Sequence, residues 1–296
     1  MELADLITER LRPELADLDL RPTSELVRLM ADDQREALEA VVASIDSISA
    51  AVEAVHSRLE SGGRLVYVGA GTAGRLGLLD AAECPPTFNT DRVIGVMAGG
   101  PTAFNVSREA IEDDAEAGAT DMEKLEIDGA DAVVGLSASG RTPYTIGAVV
   151  KARELGAVTI GISCNPDALL SQHVDYPIEI TVGPEVIAGS TRLKAGTAQK
   201  TVLNIISTVA MVRLGKTFGN LMVDLRASNE KLRDRARRIV IQATKAEIHR
   251  VDSALVDASG DVKVAIVMLL SGLGADAARQ SLETHGGSVR KAVAGE

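Results

Sequence analysis

The sequence has two cysteines in 296 residues, Cys84 and Cys164, which is too few for a disulfide scaffold. Neither lies in a CxxC or a Cys/His cluster with zinc spacing, so a thiol-bound structural metal is not expected. Reduced thiols and a cytoplasmic location are the expectation. An excess of basic charge is also missing. With 31 Lys and Arg against 42 Asp and Glu the net charge is −11, which argues against nucleic acid or an anionic membrane surface as the main partner. No apolar run approaches the roughly 20 residues of a membrane span. The opening "MELADLITERLRPELADLD" carries acids every few residues and lacks the apolar stretch of a signal peptide. No low-complexity tract and no internal repeat is present.

What the chain does have is a change of rhythm. Leu26, Leu29 and Met30, then Leu38, Val41, Val42, Ile45, Ile48, Val52, Val55 and Leu59, recur at three- and four-residue spacing until Gly62-Gly63, which predicts apolar helix faces. Short β-rich runs follow at 64–68, 92–98, 131–136, 158–163 and 176–182, each leading through Gly, Ser or Asn into a helical pattern. Strands alternating with helices predict an α/β fold, a mostly parallel five-stranded sheet sandwiched between helical layers. A long helix is expected from about Thr191 to Leu214, and the remainder looks helical. The expected division is 1–60 as an N-terminal helical segment, 61–220 as the α/β domain and 221–296 as a small helical domain.

In such a sheet, ligands collect where the strands end and their turns meet. Gly69-x-Gly71-x-x-Gly74 fits a dinucleotide fingerprint in spacing, but "VIGVMAGG" ends the second strand without an acid for a ribose hydroxyl. The turn "SASGRTPY" sets Ser137, Ser139 and Thr142 beside Gly140 at a helix start, and Arg141 adds a charge. It suits a phosphate surrounded by neutral donors, and equally an N-capped helix.

The alternating middle, "SASGRTPY" and "EVIAGSTRLKAGTAQK" (Glu185–Lys200) together resemble a sugar isomerase (SIS) domain, a phosphosugar-binding module. "GAGTAGRLGLLDAAECPPT", "VMAGG", "EDD", "GISCNP", "STRLKAGTAQKTVLNIIST" and "GKTFGNLMVDLRASNEKL", in one order over most of the chain, resemble the N-acetylmuramic acid 6-phosphate etherase family of cell-wall sugar recycling. The resemblance implies a carbon–oxygen lyase that splits the D-lactyl ether of its phosphosugar substrate. In the ring-opened sugar the C1 aldehyde acidifies the C2 hydrogen, the lactyl oxygen leaves from C3, and water adds back. No metal or other cofactor is called for.

The family's catalytic carboxylates map onto Glu83 in "AAECPP", as proton donor, and Glu112 in "EAIEDD", as the second carboxylate and base. Burial among Ala, Cys and Pro would raise the pKa of Glu83 and help it hold a proton. As bare residues, Glu83 also suits a helix end before Pro85-Pro86, and Glu112 a solvated acidic face. The expected phosphate and substrate set is Gly71, Thr72, Ser137, Ser139, Gly140, Thr142, Ser190, Arg192 and Lys194, with Lys200 a further basic residue and Glu185 a third candidate carboxylate. The four histidines carry no metal or triad spacing. Where the family opens on a pattern like TExRNPxS, this chain has Leu11, Arg12 and Leu15 after Thr8-Glu9-Arg10.

A helix starting at Gly74 would carry Glu83 away from its own glycine turn by about 1.5 Å per residue. Either Cys84-Pro85-Pro86 bends that helix back, or Glu83 serves a pocket made with a second subunit, which favours a homodimer. A non-catalytic phosphosugar sensor and an aldose–ketose isomerase need the same phosphate turns, and so remain as alternatives.

Overall fold

The computed structural model describes residues 6–105, 111–225 and 230–295. They form two compact units. One holds the chain up to Ala82 and Arg92–Ser207; the other holds Glu83–Asp91 and the chain from Thr208 onward. The sequence puts the boundary near residue 220, which falls inside the second unit.

The first unit starts with three short 3-10 turns, at Ile7–Glu9, Pro13–Leu15 and Leu18–Leu20, and two helices, α1 (Thr23–Ala43) and α2 (Ile45–Glu60). Five strands follow: β1 (Leu65–Gly69), β2 (Val93–Met97), β3 (Ala132–Leu136), β4 (Val158–Ser163) and β5 (Tyr176–Glu179). They make one sheet in the order β2-β1-β3-β4-β5, parallel throughout. Residues in β1, β3 and β4 are buried without exception, the near-continuous apolar pattern of a sheet covered on both faces. Helix α3 (Gly71–Phe88) follows β1. Helices α4 (Ala115–Lys124) and α5 (Pro143–Glu154) pack with Val66, Val68 and Val133 in a core that includes Met122, Tyr144 and Val149. Helix α6 (Lys194–Arg213) closes the α/β region.

Glycine sets how closely α4 and α5 approach. A Cβ on Gly118 would stand 2.0 Å from the Tyr144 carbonyl oxygen, and one on Gly147 2.0 Å from that of Ala115. Any larger residue at either position would force the helices apart.

The N-terminal stripe is only partly core. Val41, Ile48, Val52, Val55 and Leu59 are buried, but Leu38, Val42 and Ile45 are 51, 64 and 52% exposed, and Val27 is 63% exposed. Periodicity identifies an apolar face without saying what covers it.

Two proline expectations also change. Helix α3 continues to Phe88 with Pro85 and Pro86 inside it, so the prolines do not end the helix. The prolines remove only the donors that would meet the Ala81 and Ala82 carbonyls, and the ladder resumes with Asn89 N–H donating to the Pro85 oxygen at 3.0 Å.

In the second unit a short hairpin, β6 (Thr217–Phe218) and β7 (Leu221–Met222), precedes five helices: α7 (Glu230–Thr244), α8 (Ile248–Asp257), α9 (Val262–Ser271), α10 (Ala275–Thr284) and α11 (Val289–Ala294). The apolar α9 is the centre of their shared core. Asp224 accepts from Lys216 and Lys263, each at 2.9 Å. Burial opposes its ionisation, but the two ammonium groups prevail and hold its carboxyl below the usual range.

Candidate active site

From β1 the chain goes to β2 on one side of it, while β3 pairs along its other side. The carboxyl ends of β1 and β3 therefore flank a topological switch point, where a crevice for ligand is expected. The three glycines in the first turn serve two purposes there. A Cβ on Gly69 would meet the Leu136 oxygen at 2.9 Å, and one on Gly74 would meet the Gly69 oxygen at 2.6 Å. These two permit strand, turn and helix to pack closely. Gly71 has φ +53°, a left-handed conformation that suits glycine, and among the described residues a Cβ there would have only Glu112 Oε2 near it, at 4.0 Å. Glu112 thus brings its carboxylate over the one glycine of the turn that faces open space.

Its position is built from the neighbouring helices. The Glu112 carbonyl accepts the Tyr144 N–H at 3.0 Å at the start of α5, and the Tyr144 hydroxyl donates to Asp121 Oδ2 at 2.7 Å on α4. Tyr144 is fully buried, and burial together with Asp121 pushes its phenol well above the usual range, so it stays a donor. The close α4–α5 packing at Gly118 and Gly147 fixes this pair. Glu112 itself is exposed.

The serine turn lies at the end of β3. Ser137, buried, accepts the Gly140 N–H at 3.0 Å and shares a hydrogen bond with Thr142 Oγ1 at 2.8 Å and with Ser139 Oγ at 3.2 Å. Ser139 Oγ accepts the Arg141 N–H at 3.2 Å. Gly140 has φ +70°, and a Cβ there would strike Ala168 Cβ at 2.4 Å. Ser137 and Gly140 therefore shape the turn, while the half-buried Ser139 and Thr142 carry hydroxyls at its surface. Thr142 occupies the N-cap of α5 without a side-chain capping bond.

The start of α6 adjoins the first turn: Thr72 Cγ2 is 3.7 Å from where a Cβ on Gly196 would stand. Glu185 is 1% exposed and accepts the N–H groups of Ala195 at 2.9 Å and Lys194 at 3.1 Å. It satisfies the open donors of the helix terminus. Burial raises its pKa, partly offset by those two N–H groups and by Lys194. Lys194 is fully buried and points away from the phosphate role expected of it. Its Nζ contacts Asp33 Oδ1 at 3.2 Å and Glu36 Oε2. Its charge is neutralised inside the protein. Lys200 likewise bonds Asp80 at 2.7 Å. Ser190 is half-buried and Arg192 exposed on the loop before α6.

The unusual N-terminal residues join this region. Arg12 Nη1 donates to Asp33 Oδ1 at 2.6 Å, so Asp33 links Arg12 to Lys194. Thr8, fully buried, is held by Asn165: its N–H donates to Oδ1 at 3.3 Å and its Oγ1 accepts from Nδ2 at 3.1 Å. Gly189 N–H donates to the Thr8 carbonyl at 3.0 Å. Sequence reasoning missed Asp33, Thr8 and Asn165, because their partners lie far along the chain.

Glu83 departs from its expected environment. It is exposed, although Cys84 beside it is buried. Ala82, Pro85 and Pro86 are exposed with it, so these apolar neighbours in sequence do not bury it. The other thiol, Cys164, is fully buried, and burial pushes its pKa up, which makes it inert rather than nucleophilic. Among the described residues, no group of three or more His, Cys, Asp or Glu is arranged to hold a metal. No described helix is long and apolar enough to cross a membrane.

Comparisons with known proteins agree with this architecture. Residues 47–154 match the glucokinase regulatory protein N-terminal SIS domain and residues 109–208 the SIS domain. A phosphoheptose isomerase from Francisella tularensis superposes with a TM-score of 0.50 at 18% identity, over 64% of this chain and 97% of that one, a likeness of fold. Relatives named N-acetylmuramic acid 6-phosphate etherase match far more closely. That of Rubrobacter xylanophilus is 60% identical over 98% of this chain and 97% of its own length. That of Streptomyces avermitilis is 56% identical over 99% and 95%, and that of Halalkalibacterium halodurans 48% over 98% and 99%. With the SIS fold, the glycine and serine turns at its switch point and identity sustained along the whole chain, the chain belongs to the N-acetylmuramic acid 6-phosphate etherase family.

Proposed function

We propose that the chain cleaves the D-lactyl ether of N-acetylmuramic acid 6-phosphate, giving N-acetylglucosamine 6-phosphate and D-lactate in amino-sugar recycling. Glu112 removes the C2 proton of the ring-opened substrate, and the electron pair expels the lactyl oxygen from C3. A carboxylic acid protonates that oxygen, and water adds across the resulting double bond. The single observation that carries the assignment is Glu112 Oε2 standing 4.0 Å from a Gly71 Cβ position at the mouth of the β1–β3 crevice. The substrate phosphate sits on the hydroxyls of Ser139 and Thr142, in the turn that Ser137 and Gly140 shape. Thr72 and the α6 N-terminus border it. Lys194 supports that terminus rather than touching the ligand. Ser190 and Arg192 line the approach.

Glu83 is the proton donor, supplied by the partner of a homodimer. Glu83 is twelve residues beyond Gly71 on α3, a separation that corresponds to about 18 Å along an ideal helix. The exposed stripe of Val27, Leu38, Val42 and Ile45 supplies apolar surface suited to such a pairing. Two buried thiols that form no disulfide suit a cytoplasmic setting.

Release of D-lactate from the purified chain with N-acetylmuramic acid 6-phosphate tests the activity. Binding without release would mean a sensor, and ketose formation an isomerase. The buried capping role of Glu185 already weighs against the isomerase, whose acid–base glutamate it would supply. For the subunit assignment, mixing inactive Glu83→Gln and inactive Glu112→Gln chains should restore activity through hybrid dimers. No recovery in demonstrated hybrids would place both carboxylates in one chain's site.

A further inference from the structure

We infer that Arg141 is a specificity residue for this reaction, holding the carboxylate of the substrate's lactyl arm in a cavity beside the serine turn. The inference rests on the activity proposed above.

The cavity measures about 200 Å³ and is lined by Leu6, Ser139, Arg141, Asp167, Ala168, Leu169 and Gln172. Arg141 Nη1 is shielded from solvent and has no hydrogen-bond acceptor. A guanidinium does not lose its proton, so this donor cannot be relieved by titration. Buried donors without partners are rare and point to an acceptor that arrives with a ligand. A planar fork of N–H groups matches a carboxylate especially well.

The other basic groups first considered for the substrate's anions are otherwise engaged or lie outside. Lys194 is held by Asp33 and Glu36, Lys200 by Asp80, and Arg192 is exposed. Arg75 donates to the Ala103 and Phe104 carbonyls. Arg141 alone of this group combines a shielded, unpartnered donor with an enclosed cavity. Ser139 lies at the junction, since its Oγ bonds both Ser137 Oγ and the Arg141 N–H. The phosphate on C6 and the lactyl arm on C3 are three carbons apart, so a phosphate on the turn and a carboxylate in the cavity would belong to one ligand. The remaining walls suit the arm's methyl group: Leu6, Ala168 and Leu169 are apolar, and Leu6 is 1% exposed.

Lactate release by wild type, Arg141→Gln and Arg141→Lys chains, with N-acetylglucosamine 6-phosphate as inhibitor, tests this. The inhibitor keeps the phosphate and lacks the lactyl arm. Arg141→Gln should raise KM at least about tenfold and leave the inhibition constant within about twofold; Arg141→Lys, with charge but no fork, should fall between. Equal weakening of substrate and inhibitor would put Arg141 on the phosphate and overturn the inference. Unchanged KM would overturn it too. Melting curves show whether each variant folds, and Arg141→Lys carries the test if the glutamine variant does not. A wild type that releases no lactate overturns the activity reading and this inference together, whereas normal wild-type release with an unaffected Arg141→Gln overturns this inference alone.

Discussion

Glu112 and Glu185 are both candidate carboxylates, and their surroundings are opposite. Glu112 is exposed, above a glycine turn with no Cβ in the way. Glu185 is buried, with each carboxylate oxygen on a backbone N–H of α6. A group that must receive a proton from substrate has to reach solvent-filled space. A carboxylate bound to a helix terminus is already occupied by two backbone N–H groups. Carboxylate chemistry alone would not rank the two; exposure does.

The largest test of that contrast is Glu112→Gln. The amide keeps the size and cannot act as a base, so kcat should fall by about 10²–10⁴ with melting temperature unchanged. In D₂O the variant should place no deuterium at C2 of recovered substrate, while Glu83→Gln should still do so if the abstracted proton exchanges. Exchange retained in Glu112→Gln and lost in Glu83→Gln would reverse the two roles. The helix packing behind Glu112 gives the next effect. Gly147→Ala drives a Cβ to within 2.0 Å of the Ala115 oxygen, which should cost about 1–3 kcal/mol in stability and lower kcat by displacing the Tyr144–Glu112 link. A variant with wild-type melting and rate would show that α4 and α5 yield freely.

The strands were legible in the sequence because a covered parallel sheet writes itself as short β-branched runs. The run at 158–163 coincides with β4. The turns were legible because glycine and serine follow those runs. Three kinds of fact were not. Spacing showed that Leu38, Val42 and Ile45 share a face, but not that the face is exposed. Nothing local marks Lys194 as the partner of Asp33, 161 positions away. Double proline looked like a helix stop, yet α3 tolerates it near its end. The missing information was in each case tertiary: who packs against whom.

The serine turn separates shaping from binding at a smaller scale. Ser137→Ala removes the hydroxyl bonded to the Gly140 N–H and to Thr142 Oγ1, leaving Gly140 N–H on the Ser137 carbonyl at 3.1 Å, and should cost about 1 kcal/mol of stability, read as a lower melting temperature. Ser139→Ala should leave melting nearly unchanged and weaken substrate binding by about 1.5–3 kcal/mol, the range for a hydrogen bond to a charged group. If both variants lost only stability, the turn would be a helix cap and the phosphate would lie elsewhere.

Glu185→Gln should have the smallest effect on rate and a distinctive pH signature. An amide offers one oxygen where the carboxylate offers two, so one α6 N–H loses its acceptor, costing about 1 kcal/mol near neutral pH. Because burial raises the Glu185 pKa in the folded chain, folding favours its protonated form. Its contribution to stability is thus fully present below the ordinary glutamate range and is lost as pH rises through the raised value. Glutamine does not titrate, so the variant's stability should lack that decline, and its deficit relative to wild type should be largest on the acid side of the window and shrink as pH rises. Denaturant titrations from pH 4 to 8, roughly the span in which a raised carboxyl titrates, measure this directly. A deficit that instead grew with pH would mean that the two N–H groups outweigh burial and that Glu185 is held ionised; loss of catalysis with unchanged stability would move Glu185 into the chemistry alongside Glu112.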